Sequence, residues 1–422
     1  MRTRGGFGWG LGATLLIGLM LAPTAGAATI RVETRADEFN LGNSRCSLRE
    51  AIHVSDTDSA TASCATGSGN DTVAVPKGTY NLTIGPSGPN DIETGDLNVE
   101  DISTIRAAKA GDKVTIDQKA NGRVFDIDGN GAELRNLTIR GGFGTQGAGV
   151  NVTGNPVTLR GVTVSGNTTN PGTSDGGGVA VAGNGVLNLV NSTISGNTGA
   201  EGGGLAVVQG TARLSNTTIA NNTATGAFDT DGGGGVFVDG GDDLEIENSL
   251  IAGNRDTNEG GLPPVDADCK GLVDVTGTNL IGIDSGGCLP SDPVLTGNAR
   301  LAPLANNGGP TRTHALRAGS KAINEGDQCF NVDQRSAPRK RCDLGSYERI
   351  VKRGIVINRV GTSGNDRIRG TNRKDGFLGR GGRDRLIGRG AKDFFDGGPG
   401  TDRCIGGPGN DIARRCEVEI SI

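Results

Sequence analysis

Gly176-Gly177-Gly178-Val179-Ala180-Val181 returns as Gly202-Gly203-Gly204-Leu205-Ala206-Val207 and again as Gly233-Gly234-Gly235-Val236-Phe237-Val238. Each copy is followed by an alternating stretch: Val186-Leu187-Asn188-Leu189, Ala212-Arg213-Leu214 and Leu244-Glu245-Ile246. A third refrain comes next: Asn191-Ser192-Thr193-Ile194-Ser195-Gly196-Asn197, Asn216-Thr217-Thr218-Ile219-Ala220-Asn221-Asn222, and Asn248-Ser249-Leu250-Ile251-Ala252-Gly253-Asn254. Weaker copies precede it at Asn136–Ile139 and Gly161–Val164. The apolar marks Ile139, Val164, Ile194, Ile219 and Ile251 lie 25, 30, 25 and 32 residues apart. A period of that size is a solenoid. Alternation of apolar and polar residues makes its rungs strands, and the glycines make its turns.

Register then places side chains in columns. Asn167, Asn197, Asn222 and Asn254 each follow a strand at the same place. Stacked about 4.8 Å apart, their amides can hydrogen-bond up the solenoid. A second column is acidic: Asp175, Glu201, Asp231 and Glu259 each stand immediately before a glycine run, with Gln146 one coil earlier. Like charges at that spacing need water or a shared cation. The column therefore reads either as a solvated edge or as a cation-binding edge of hard oxygen ligands suited to calcium. The outward strand positions are expected to be bland: Asn188, Val190, Ser192, Ser215 and Thr217, with Glu245 and Glu247 as the exceptions.

Outside the repeats, composition sets bounds. Arg2 and Arg4, an apolar run from Leu11 to Leu21, and Ala25-Gly26-Ala27 read as a secretory signal peptide over residues 1–27. No other apolar run is long enough to span a membrane, so a secreted, extracellular or cell-surface protein is expected. Removing two arginines leaves 40 basic against 47 acidic residues, a net charge of −7 that gives no reason to expect nucleic acid. Aromatics are 3% of the chain, too few for a sugar-stacking platform. The cysteines fall in four neighbouring couples, Cys46 and Cys64, Cys269 and Cys288, Cys329 and Cys342, Cys404 and Cys416. Eight cysteines allow 105 pairings. Proximity favours the neighbours, each closing a loop of roughly ten to twenty residues and contributing about 3 kcal/mol. The absence of a Cys-x-x-Cys pair and the presence of only two histidines speak against zinc.

At the start, Thr29–Thr34 reads as a strand and Cys46-Ser47-Leu48-Arg49-Glu50-Ala51-Ile52 as a capped helix. Ser47 and Glu50 form a capping box there. A solenoid needs a lid on its open end, and this helix supplies one. Residues 71–82 read as strand, turn, strand.

The helix segment, with Pro76-Lys77-Gly78-Thr79-Tyr80, resembles the opening of secreted bacterial β-helix proteins with a "CSLREA" motif. Several later segments resemble that family's "choice-of-anchor Q" ending. They are Asn279-Leu280-Ile281-Gly282, the run Pro303–Leu316 with His314, Gly319–Ile323, Asp333-Gln334-Arg335 and Cys342-Asp343-Leu344-Gly345-Ser346-Tyr347-Glu348. The resemblance spans roughly residues 29–348. It implies an all-β, right-handed parallel β-helix of the pectate-lyase-like kind and implies no reaction. The expected layout is a cap at 28–70, coils at 71–292, the family ending at 293–348 and a linker or last strand at 349–360.

From Gly361 a new period begins. Nonads start at Gly361, Gly370, Gly379, Gly388, Gly397 and Gly406. The sixth residues are Asp366, Asp375, Asp384, Asp393, Asp402 and Asp411, and the eighth are Ile368, Phe377, Leu386, Phe395, Cys404 and Ala413. This resembles the repeats-in-toxin (RTX) calcium-binding nonapeptide. The resemblance implies a small parallel β-roll over residues 361–422, two nonads per coil, with calcium held by the aspartates and by backbone carbonyls. The pairs would be Asp366 with Asp384, Asp384 with Asp402, Asp375 with Asp393, and Asp393 with Asp411. The chain departs from the pattern: residues 361–414 hold eleven Lys or Arg against seven Asp. The nonads from Gly370 and Gly388 have also lost glycines. The best matches start at Gly361, Gly397 and Gly406, so fewer than four filled sites are expected. A bond from Cys404 to Cys416 would pin the tail over the roll's end.

The sequence thus points to a secreted, non-catalytic β-helix with a calcium-binding roll, a surface or matrix protein that meets calcium and extracellular polysaccharide. A polysaccharide lyase or glycoside hydrolase working near Glu245 and Glu247 is the alternative. A structural solenoid without calcium is another. His314 belongs to a family motif and reads as a packed or turn-bonded side chain.

Overall fold

The computed structural model describes residues 26–86, 92, 95–170, 175–226, 232–257, 268–282 and 288–422. Strands stack in three main parallel faces, with a narrow fourth stack of two-residue strands from Phe143–Gly144 to Arg255–Asp256. The first face runs from Thr29–Arg31 through Thr72–Val75, Thr104–Ala107, Glu133–Arg135, Val157–Arg160, Gly185–Val190 and Gly210–Ser215 to Asp243–Glu247. The second runs from Gly78–Leu82 through Val114–Gln118, Leu137–Arg140, Thr163–Ser165, Thr193–Ser195, Thr218–Ala220 and Leu250–Ala252 to Leu280–Ile281. The third begins at Leu97–Val99 and carries the glycine-led strands Val179–Val181, Leu205–Val207 and Val236–Val238. The strand Cys269–Thr276 wraps from the third face to the first and joins them at the far end. The fold is a parallel β-helix, as the period requires.

The sequence marks fall in one column: Ile116, Ile139, Val164, Ile194, Ile219, Ile251 and Ile281 are mutual register partners. Each is at most 1% exposed. At about 25 cal/mol per Å² of apolar surface removed from water, each such side chain contributes about 2 kcal/mol. The asparagine column is equally buried. Asn167 Nδ2 donates to Asn197 Oδ1 at 2.9 Å, Asn197 to Asn222 at 2.9 Å, and Asn222 to Asn254 at 3.0 Å. Each Oδ1 also accepts the backbone N–H of the asparagine one coil earlier. Asp268 terminates the ladder, accepting from Asn254 Nδ2 at 2.9 Å.

One expectation about the coils is corrected. Ser192 and Thr217 do not point outward; both are fully buried. The residue before each, Asn191 at φ 46° and Asn216 at φ 49°, takes the left-handed conformation and turns the chain. The turn breaks the alternation, so the next side chain swings inward. Ser192 Oγ then donates to Val190 O at 2.8 Å, and Thr217 Oγ1 to Leu189 O at 3.0 Å. A second internal polar ladder lines this corner.

The helix Leu48–Thr57 closes the first coil. Ser47 caps it, and the Glu50 side chain returns the bond to the Ser47 N–H at 2.8 Å. Leu48, Ala51, Ile52 and Val54 face the core. Arg49 is buried against Asp37 and donates to three backbone carbonyls. The bonds Cys46–Cys64, Cys269–Cys288, Cys329–Cys342 and Cys404–Cys416 are all formed between neighbours.

The segment after the last coil is a strap laid back over the second face. Its own core joins Leu250, Ala252 and Leu280 to Ala299, Leu316, Ala322, Leu344 and Tyr347. The Asp333-Gln334-Arg335 motif fastens it. Arg335 is buried on Asp333 at 2.7 Å and under the Tyr347 ring at 3.8 Å. Gln334 reaches the Thr163 and Thr193 hydroxyls. His314, 1% exposed, bonds Ser195 Oγ at 2.8 Å through Nε2, and its Nδ1 lies 2.7 Å from Ala302 O. Burial lowers its pKa. Its place is structural, as the motif implies.

Residues 349–360, read from the sequence as a linker or last strand, contain a hairpin of Val351–Lys352 and Ile355–Val360. The second strand pairs with Gly376–Leu378 and so opens the roll's own sheet. The apolar alternation Ile355, Ile357, Val360 makes it part of the roll's core with Leu378 and Phe394.

Candidate metal centre

The nonads fold as a roll of two parallel sheets. One sheet stacks Arg367–Arg369, Arg385–Ile387, Arg403–Ile405 and Val418–Ile420; the other continues from Ile355–Val360 through Gly376–Leu378 and Phe394–Asp396 to Ile412–Arg414. The eighth residues meet inside. Phe377, Leu386, Phe395 and Cys404 are fully buried, and the Phe377 and Phe395 rings stack at 4.7 Å. The Cys404–Cys416 bond holds the tail against this core.

The aspartates line up by the pairs that the repeat implies. Asp366 N–H donates to Asp384 Oδ1 at 2.9 Å, Asp375 to Asp393 at 2.8 Å, Asp384 to Asp402 at 2.8 Å, and Asp393 to Asp411 at 2.7 Å. One carboxylate oxygen is thus spent on the preceding coil of the same side. The column ends on a residue not foreseen: Asp402 N–H donates to Glu417 Oε2 at 2.6 Å. Glu417 stands 15 residues on rather than 18, so the nonad period hides it. The alternation Val418-Glu419-Ile420 was the available signal of a further strand.

The other oxygen divides the aspartates into two groups. Asp366 Oδ2 accepts from Thr362 N–H at 2.6 Å and its hydroxyl at 2.9 Å; Asp375 Oδ2 accepts from Thr371 N–H at 2.6 Å and its hydroxyl at 2.8 Å. Asp375 also takes Arg359 at 3.2 Å and Asn358 at 2.9 Å. The Oδ2 atoms of Asp384, Asp393, Asp402 and Asp411 are buried and have no donor. A buried oxygen anion without a donor requires a proton or a cation. Burial pushes Asp384 and Asp393 up to about 6, helped by the neighbouring carboxylates of their own columns.

Gly379 and Gly388 frame this gap. A β-carbon on Gly379 would collide with both Asp384 Oδ2 and Gly397 O, and one on Gly388 with Asp393 Oδ2 while lying 2.9 Å from Gly406 O. Glycine therefore keeps a carboxylate oxygen of one coil and a carbonyl oxygen of the next facing a shared space. Hard oxygens from carboxylate and backbone are the ligand chemistry of calcium. Among the described residues no three or more His, Cys, Asp or Glu converge, so carbonyls must supply much of any ligand set. The open oxygens do not follow the glycine count. The nonad from Gly361 matches well, yet Thr362 closes its aspartate; the nonad from Gly388 matches poorly, yet Asp393 stays open.

Residues 360–375 and 378–413 match the RTX calcium-binding nonapeptide repeat. The chain carries RTX repeats. Residues 107–280 match the family described as the right handed beta helix region, ahead of the RTX array. Among solved structures, the crystal structure of pectate lyase Pel9A is similar at 16% identity and a TM-score of 0.41, covering 77% of this chain and 98% of that one. No curated protein matches.

The other candidates sit apart from the RTX roll. Glu245 lies outward on the first face, opposite Arg213, its ion-pair partner at 3.4 Å, and opposite Asp274. Glu247 stands between Ser215 and Thr276. Asp239 and Asp242 bind the backbone of their own turn and of Gly210. Of the acidic edge, Asp175 and Glu201 stand in adjacent coils, joined by the Gly176 N–H to Glu201 O bond at 3.0 Å. Asp231 and Glu259 lie outside the described residues. Among the described residues no helix is long and apolar enough to cross a membrane.

Proposed function

We propose that this chain is a secreted, non-catalytic β-helix scaffold of a surface or matrix protein, stabilised by calcium in its C-terminal roll. The observation that carries the reading is the pair of buried oxygens, Asp384 Oδ2 and Asp393 Oδ2, each without a donor and each facing a glycine carbonyl of the next coil. Asp384 with Gly397 O, and Asp393 with Gly406 O, would hold the cation. Asp402 and Asp411 share a gap in the same way with Arg415 O and Ser421 O of the tail. Bound calcium supplies the positive charge that these carboxylates lack; the chain's contribution is to hold the oxygens in register.

The scaffold reading draws on the outward surface of the coils, where Glu245 is paired with Arg213. The test is thermal unfolding with calcium or magnesium. Calcium is expected to raise the melting temperature, magnesium to do so far less because it gives up its waters reluctantly, and Asp384→Asn/Asp393→Asn to abolish the calcium effect. Equal melting with and without calcium would defeat the reading.

A further inference from the structure

The strap covers only part of the second face. The outward column there is a threonine ladder in register: Thr79, Thr115, Thr138, Thr163, Thr193 and Thr218. The strap takes the last three. Thr163 Oγ1 donates to Arg312 O at 2.7 Å, Thr193 Oγ1 to Gln334 Oε1 at 2.6 Å, and Thr218 Oγ1 accepts from Ser346 N–H at 2.9 Å. Thr79, Thr115 and Thr138 instead form the floor of an open cavity of about 280 Å³, whose wall carries Lys113, Arg140, Arg312 and Asn306. Lys113 and Asn306 also line a second cavity of about 420 Å³, which runs to the roll's edge at Arg359, Arg367 and Arg369. The two make one groove from the helix face to the roll.

Its charge is one-sided. Arg140 is paired with Asp117 at 2.7 Å and Arg359 with Asp375 at 3.2 Å. Among the described residues Lys113, Arg312, Arg367 and Arg369 have no carboxylate within ion-pair distance. Asp366, the one acid among the described residues lining the groove, is engaged by Thr362. Partial burial, then the charges of Arg359 and Arg312, lower the pKa of Lys113, which agrees with cations facing one another across the groove. Such a concentration of positive charge in a chain of net charge −5 is local, and it attracts a local anion.

We propose that this groove binds an extended, carboxylate-bearing polysaccharide. Lys113, Arg312, Arg367 and Arg369 hold its carboxylates, and Thr79, Thr115 and Thr138 meet its hydroxyls. Guanidinium forks match carboxylates, and a floor of hydroxyls matches a sugar chain. Among the described residues no Phe, Tyr or Trp lines either cavity, and they offer no stacking platform of the kind that single-stranded nucleic acid uses. The inference names a partner for the scaffold reading above but rests on different residues from its calcium sites.

The test is binding of hyaluronate oligosaccharides by the whole chain at fixed calcium, against neutral dextran and single-stranded DNA. Hyaluronate is expected to bind, with affinity falling as added salt screens the few charge contacts. Lys113→Glu/Arg312→Glu/Arg367→Glu is expected to lower affinity by at least about 50-fold, and Lys321→Glu on the strap to leave it unchanged. Should the triple variant fail to fold, Lys113→Gln and Arg312→Gln singly are each expected to weaken binding several-fold. Asp384→Asn/Asp393→Asn is expected to keep hyaluronate affinity, so a failed calcium reading leaves this result standing. The proposal is overturned by wild-type protein that ignores hyaluronate at low salt, by groove variants that bind like wild type, or by tighter binding to the DNA.

Discussion

Replacing Asp384 and Asp393 by asparagine should stabilise the calcium-free protein while abolishing its response to calcium. Both side chains are at most 2% exposed, and their carboxyls are pushed from 3.8 to about 6. At pH 7.5 both stay ionised, at a cost of roughly 1–2 kcal/mol each once solvent screening is allowed for. Asparagine removes the charge and keeps Oδ1 for the Asp366 and Asp375 N–H groups. Its Nδ2 can stand where Oδ2 shares the gap with the carbonyls of Gly397 and Gly406, placing a donor where there is none. The sign with pH follows. A carboxyl whose folded pKa lies above its unfolded one contributes stability that is present below about 3.8 and lost as pH rises through about 6. Chelated wild-type protein should therefore resist urea better at pH 4.5 than at pH 7.5, and the double variant should show a smaller difference. Urea unfolding with a chelator, followed by circular dichroism, reads both. A double variant no more stable than wild type at pH 7.5, with the same dependence on pH, would refute the claim that these oxygens lack a partner.

Other predictions follow from particular positions. Arg380 at φ 80° and Arg389 at φ 90° stand where Gly398 and Gly407 hold φ 106° and 107°, so Arg380→Gly and Arg389→Gly should each stabilise the roll by about 1 kcal/mol in thermal unfolding. Asn222→Ala leaves the Asn197 N–H without its acceptor and reduces Asn197 Nδ2 to its bond with Val164 O; urea unfolding should show a loss of about 2 kcal/mol. Asp56, in the last turn of the cap helix and half-buried beside Glu100 and Asp101, is pushed up to about 8, chiefly by desolvation. Its contribution to stability falls as pH rises from about 4 to about 8, so Asp56→Asn should flatten that window and melt higher than wild type at pH 8.5.

The coils were legible because their chemistry repeats. Ile139, Val164, Ile194, Ile219 and Ile251 gave the inward column, and the Asn167 to Asn254 spacing gave the amide ladder. Alternation failed at Ser192 and Thr217, where a left-handed asparagine one residue earlier changes the side-chain direction; that asparagine was visible at the head of every refrain. The segment from 293 to 348 has no period, so nothing in its sequence said that it lies back over the second face. In the roll, the six aspartates were plain, yet the division among them turns on Thr362 and Thr371, hydroxyl residues four before an aspartate, which glycine counting overlooks. The cationic groove was hidden for another reason: Thr79, Lys113, Arg312 and Arg367 are far apart in the chain and meet only through the fold.

The most direct measurement is a crystal structure of the chain grown with calcium, with anomalous scattering used to locate the ion. Peaks within coordination distance of Asp384 Oδ2 and Gly397 O, and of Asp393 Oδ2 and Gly406 O, are the predicted result. A roll with no peak at either gap, the aspartates folded as described, would contradict the assignment of the metal centre.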